Sequence, residues 1–166
     1  MTANIIDGKA FANDLVSKLA IKVKLLESKH QFKPGLAVVL VGNNPASEVY
    51  VKNKIRQTEN SGMISIEHRL PESTSQQDLL SLIKELNSDN SIDGILVQLP
   101  LPKQIDENSV INAISAEKDV DGFNVINAGL LATGGNGLIP CTPLGCLLLL
   151  QDYLNDLTGK NAVIIG

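Results

Sequence analysis

Tryptophan is absent from this chain, and two tyrosines and three phenylalanines are its whole aromatic complement. That is too little to build the stacking platforms on which nucleobases and sugars are held. Histidine and cysteine are as scarce, with His30, His68, Cys141 and Cys146 the full supply, too few and too scattered for a closed four-ligand zinc site. Charge of one sign never accumulates: 14 basic against 18 acidic residues give a net charge of −4, and no block of one sign exceeds two residues. An electrostatic footprint for nucleic acid or an anionic membrane is therefore missing. The longest apolar stretch, Leu144 to Leu150, is far below the roughly 20 residues of a membrane span. The N-terminal MTANIIDGKAF has no basic region leading into an apolar core, so it does not read as an export signal. With two thiols and no such signal, the expected setting is the reducing cytoplasm.

What is present is a composition that folds. Apolar residues make up 43% and charged residues 19% of 166 residues, enough to bury one core without disulfides or metals and too apolar for disorder. Phe11, Leu15, Leu19, Val23 and Leu26 recur at spacings of three and four, which predicts an amphipathic helix over 9–29. Pro34-Gly35 breaks it, and LAVVLV (36–41) is a continuous apolar run suited to a strand buried on both faces. GNNPAS turns the chain into a helix over about 46–61, stopped by Gly62. ISIEHRL (64–70) alternates as a strand, with His68 on the same face as Ile66 and Leu70, where it reads as a hydrogen-bonded core histidine. Ser75 followed by Asp78 resembles a capping box opening a helix to about Asn87. Asp93-Gly94 leads into a buried strand, ILVQ, that ends at Leu99-Pro100-Leu101-Pro102, and a short helix from Asp106 to Ile114 follows.

Strand and helix in alternation predict right-handed crossovers and a mainly parallel sheet with helices on both faces, an α/β protein. Residues 117–140, rich in Gly, Asp and Asn, have little periodicity and read as a functional or interdomain connection. Thr142-Pro143 then reads as a helix start, with the threonine hydroxyl as N-cap and proline at the first helical position. NAVIIG (161–166) reads as a final strand.

Ligands of a doubly wound sheet sit beyond the carboxyl ends of its strands. After LAVVLV the chain delivers Tyr50 and Lys54, which share a helix face at i and i+4, and after ILV it delivers Gln98. A lysine beside an aromatic ring and a neutral amide can lose solvation and become a proton carrier near neutrality. On spacing alone, Tyr50 and Lys54 also fit the boundary of an amphipathic helix, and Gln98 a strand-end cap. Asp121, in KDVDG, is either a plain Asp-Gly turn residue or a carboxylate aimed at the paired N–H groups of an amino-pyrimidine edge. Thr133-Gly134-Gly135-Asn136-Gly137 has neither the Walker nor the dinucleotide spacing. Cys141, placed before a helix N-terminus where a thiolate would be favoured, is either a nucleophile or small filler.

The strings VGNNPASEVYVKNK, DGILVQLPLP, EKDVDGFN and PCTPLG occur together and in this order. Over essentially its whole length the chain resembles the bifunctional methylenetetrahydrofolate dehydrogenase/cyclohydrolase family. The resemblance implies an amino-acid-dehydrogenase-like, folate-binding catalytic domain over 1–140. It also implies that residues 141–166 are the bridging helix and first strand of an NADP-binding Rossmann domain whose remainder is absent. It makes Lys54 the acid/base of the cyclohydrolase step, Gln98 its hydrogen-bonding partner, Tyr50 the ring against the folate and Asp121 the pterin anchor, all three of Lys54, Gln98 and Asp121 being catalytic. Leu99 and Pro100 complete the folate contacts, and Gly166 stands at the start of the NADP phosphate loop.

For the complete enzyme the resemblance implies tetrahydrofolate derivatives as substrates, NADP as cofactor, no metal, a homodimer, and a place in one-carbon metabolism that supplies purine biosynthesis. Val125 departs from the proline that many relatives carry after the D-G-F run. Two other readings remain at this point. One is another two-domain dehydrogenase, such as the shikimate type, against which the Y-x-x-x-K and VQLPLP strings speak. The other is a non-catalytic folate-binding module.

Overall fold

The computed structural model describes residues 5–165. Its centre is a three-stranded parallel sheet in the order β2-β1-β3, built from β1 (Gly35–Val41), β2 (Ile64–Leu70) and β3 (Gly94–Val97). Around it lie α1 (Gly8–His30), α2 (Pro45–Asn60), α3 (Gln76–Ser88), α4 (Glu107–Ala113), α5 (Val125–Thr133) and α6 (Cys141–Leu154). In this strand order the chain steps from β1 outwards to β2, then back across β1 to β3. Because parallel crossovers are right-handed, the two steps place their helices on opposite faces.

The packing follows that rule. On one face, Ala37, Val39 and Val41 meet Ile95 and Val97 under Leu79, Ile83 and Leu86 of α3 and Val110 of α4. On the other, Val38, Leu40 and Leu96 lie under Val51 of α2. The apolar run of β1 thus faces a core on both sides, as its sequence predicts. The strand register pairs Leu36 with Gly94 and Val39 with Val97 on one side, and Gly35 with Ile64 through Val41 with Leu70 on the other. Asp93 ties the two inner strands at their start. Its Oδ2 accepts from Gly35 N, and its own N–H donates to Gly35 O, both at 2.8 Å.

Local signals account for most element ends. Asn44 caps α2, its Oδ1 accepting from Ala46 N and Ser47 N, with proline in the first turn. Ser75 caps α3 through Asp78 N, and its hydroxyl donates to the Asp78 carboxylate at 2.6 Å.

Four expectations need correction. First, residues 117–140 are not all connection, because α5 lies within them. Its one buried residue is Asn127 while Val125 and Ile126 are exposed, so no apolar stripe marks it. Second, α6 begins at Cys141 with Pro140 as N-cap and no side-chain cap bond. The Pro140 carbonyl already accepts the first helical bond, from Leu144 N, so Thr142 lies inside the helix and not at its cap. Third, residues 161–165 form no strand. A strand needs a ladder partner, and Val163, Ile164 and Ile165 are instead 87–95% exposed; Gly166 lies outside the described residues. Fourth, His68 lies beside Ile66 and Leu70 as expected, but it is only half-buried on the outer strand and its Nε2 has no hydrogen-bond partner among the described residues. The Gly134 segment is a helix end. Gly134 is the left-handed C-cap of α5, and Gly135 N donates to Leu130 O, a Schellman closure.

Among the described residues no helix is long and apolar enough to cross a membrane.

Candidate functional site

The reversal of winding between β1 and β3 creates the crevice where open α/β sheets hold ligands. A cavity of about 810 Å³ lies on the α2 face of these strands, floored by Leu36 and Gly94 at the starts of β1 and β3 and by Leu96. The cavity reaches Gln98 and Leu99 past the end of β3, so it runs along the strands and not only beyond their carboxyl ends as expected. The helix α2 brings Tyr50 and Lys54 to it, the end of β3 brings Gln98 and Leu99, and the turn after Lys118 brings Asp121. Five of the six substrate contacts expected from sequence therefore line one cavity. Pro100 lines a smaller neighbouring depression of about 290 Å³ with Asn43, Asn44 and Glu72.

Lys54 is half-buried, and its Nζ donates to Gln98 Oε1 at 3.3 Å. Gln98 is held so that it offers that oxygen. Its backbone N–H continues the ladder to Val39 O at 2.9 Å, and its Nε2 donates to Leu99 O at 2.7 Å, leaving Oε1 as the free acceptor. The segment that follows, with a cis bond between Leu99 and Pro100, is fixed by Leu101 N donating to Glu107 Oε1 at 2.9 Å and by Gln104 Nε2 donating to Glu72 O at 2.6 Å. Tyr50, one helical turn before Lys54, is 63% exposed at the rim.

Asp121 sits on a turn closed by Gly122 N donating to Asp119 O at 3.1 Å. Gly122 has φ +68°, and a Cβ there would lie 2.7 Å from Leu138 O, so only glycine fits both the conformation and the space. Val120, between the two aspartates, covers Gly94 so closely that a Cβ on that glycine would lie 2.5 Å from Val120 Cγ1. Lys118 anchors the near end of the turn, its Nζ donating to Leu86 O and Asp89 O at the C-terminus of α3, where a cation also meets the favourable end of the helix dipole. Burial pushes the Asp121 carboxyl above the usual carboxylate range; the positive charge of Lys54 pulls against that, and the charge of Asp119 adds a further upward push.

Cys141, also on the cavity wall, donates from Sγ to Val120 O at 3.3 Å. The residue as a whole is exposed, yet partial burial of its thiol and the nearby Asp121 carboxylate push the thiol pKa up. That upward push runs against the thiolate a helix N-terminus would favour, and the structure adds nothing to the nucleophile alternative. Asp119, which sequence reasoning passed over, is 2% exposed and accepts from Asn124 N at 2.8 Å and Asn127 Nδ2 at 3.0 Å. The available signal was two carboxylates two residues apart in KDVDG, of which a single ligand edge needs one. No group of three or more His, Cys, Asp or Glu that could hold a metal ion occurs among the described residues.

A doubly wound α/β domain that brings the Lys54 amine, the Gln98 amide and the half-buried Asp121 carboxyl to one apolar slot defines a small-molecule site for a flat ligand with polar edges. Comparison with known proteins narrows that class. The profile of the family described as "Tetrahydrofolate dehydrogenase/cyclohydrolase, catalytic domain" matches residues 6–121, and the chain belongs to that family.

"Bifunctional protein FolD" of Rhodospirillum centenum is 60% identical over 164 residues, covering 99% of this chain and 54% of that protein. The crystal structure of the FolD methylenetetrahydrofolate dehydrogenase/cyclohydrolase of Campylobacter jejuni superposes with a TM-score of 0.94 at 48% identity, covering 98% of this chain and 58% of that one. The Trypanosoma brucei methylenetetrahydrofolate dehydrogenase-cyclohydrolase, solved with NADP cofactor and inhibitor, gives a TM-score of 0.91 at 32% identity, over 96% and 55% of the two chains. The chain spans about half the length of the curated relatives it matches. Family membership sets aside the shikimate-type alternative.

Proposed function

We propose that the full-length protein oxidises methylenetetrahydrofolate to methenyltetrahydrofolate with NADP and hydrolyses the product to 10-formyltetrahydrofolate. The observation that carries this reading is the Lys54 Nζ to Gln98 Oε1 contact at 3.3 Å inside a cavity that also holds Asp121, in a chain of this family. Hydrolysis needs a proton taken from attacking water and one delivered to the departing nitrogen, and an amine fixed by a neutral acceptor is suited to both transfers. Gln98 is here a positioning residue for Lys54. Asp121 receives the N–H edge of the pterin, and Tyr50 and Leu99 flank the ring system, with Pro100 shaping the adjoining wall.

NADP, when bound, supplies a hydride acceptor. Among the described residues no glycine-rich loop opens onto a helix N-terminus of the kind that holds dinucleotide phosphates, and Gly166 lies outside them. The chain's described residues therefore orient the folate, and no step is assigned to them through the nucleotide. The same reading divides the chain near residue 140, in keeping with α6 contributing no buried residue to the core, and takes the full-length protein as a cytoplasmic homodimer.

The decisive experiment is Lys54→Met in the full-length protein. Methenyltetrahydrofolate hydrolysis should be lost with the circular dichroism spectrum unchanged. Near-normal hydrolysis would remove Lys54 from the mechanism, and folate binding without turnover by the unmodified protein would favour a non-catalytic folate module.

A further inference from the structure

Asp119 is a carboxylate with almost no access to solvent and does not line the 810 Å³ cavity, and burying such a group is unfavourable unless it is engaged. Its engagements all bear on the segment that presents Asp121. Its backbone bridges to Ile95 of β3, the Ile95 N–H donating to Lys118 O at 2.7 Å. Its carbonyl closes the turn through Gly122 N. Its Oδ2 takes both the Asn124 N–H and the Asn127 side-chain N–H.

Those two asparagines carry the tie outwards. Asn124 Nδ2 donates to Ile114 O, and its Oδ1 caps α5 at Ile126 N. Asn127 Nδ2 donates to Ala116 O, and its Oδ1 accepts from Leu138 N. Leu138 belongs to the strip against which Gly122 packs. The turn is thus clamped from both sides through one oxygen atom.

We propose that Asp119 is a positioning residue for Asp121: through Oδ2 it locks the 119–122 turn to α5 and so sets where the Asp121 carboxyl meets the folate. The inference rests on the folate reading above. The charge of Asp119 has a second effect, since it raises the proton affinity of Asp121, whose other charged or titratable neighbours are Lys54 and Cys141.

Because both hydrogen bonds fall on one oxygen, Asp119→Asn can keep them with its amide oxygen while removing the charge; Asp119→Ala removes both. The test is calorimetric titration of the full-length variants with tetrahydrofolate, which carries no one-carbon unit to react, across the acid range, with Asp121→Asn in parallel. Asp119→Ala should weaken binding about tenfold or more. Asp119→Asn should bind near the parent level at neutral pH, with the acid limb of its affinity moved to lower pH because Asp121 then loses its proton more easily. Parent-like affinity and an unmoved acid limb in both variants, while Asp121→Asn loses binding, would overturn the proposal. Should Asp119→Ala fail to fold, Asn127→Ala, which removes one of the two bonds to Oδ2, takes its place, and parent-like affinity there overturns the proposal. Undiminished binding by Asp121→Asn is a different result, which removes Asp121 from the folate site and sinks the underlying reading.

Discussion

At Asp121 the proposed folate contact and the stability of the fold stand in opposition. Its carboxyl is pushed up mainly by burial, so the folded state holds its proton more tightly than the unfolded chain does. A carboxyl with a raised folded pKa adds nothing unfavourable below its unfolded pKa and weakens the fold as pH rises through the folded value. Asp121→Asn should therefore melt at a higher temperature than the parent at neutral pH, and the gap should close as the solution is acidified to below the ordinary carboxylate range. Melting curves at several pH values check this; a gap that does not depend on pH would mean that the Asp121 charge is not what strains the site. Asp121→Ala should also weaken folate binding much more than NADP binding in the full-length protein, because the contact it removes belongs to one ligand. Equal losses measured by titration would point to a collapsed turn.

Elements were legible in the sequence where their periodicity reflects burial. β1 is flanked by packed faces on both sides, and its unbroken apolar run says so; α3 buries Leu79, Ile83 and Leu86 at helical spacing and announces itself with Ser75. Ile83 has no solvent exposure and lies among Leu79, Leu86 and the β1 side chains. Ile83→Ala should lower stability by roughly 2–5 kcal/mol, and Ser75→Ala by about 1 kcal/mol, both read from denaturant unfolding. A loss for Ile83→Ala no larger than that for Ser75→Ala would contradict the core described above. α5 was illegible because its buried face carries an asparagine, so the pattern looks inverted. Asn124 before it and Gly134 after it were the signals that could have been used, a cap at each end of a nine-residue helix. Tyr50, Lys54 and Gln98 could be grouped because the sheet places strand ends together. The clamp from Asp119 to Asn127 could not, since it is made of bonds between loop atoms that leave no period in the sequence.

At the scale of the whole molecule, the order β2-β1-β3 decides both where the cavity lies and which part of the fold opens last. β1 is hydrogen-bonded on both sides and packed on both faces, whereas β2 pairs on one side only and has no fully buried residue. Backbone amides exchange with solvent deuterium through local openings at edges and ends, and in the centre only when the entire fold comes apart. Deuterium uptake followed by mass spectrometry should accordingly be slowest in peptides covering 36–41, intermediate over β2, and fastest over 156–165. Gln98 N, bonded to Val39 O, belongs to the slow class. The residue whose side-chain oxygen meets Lys54 is thereby fastened by its backbone to the last part of the protein to loosen, and the Gln98 half of the proposed proton-handling pair should hold its place through every excursion short of global unfolding.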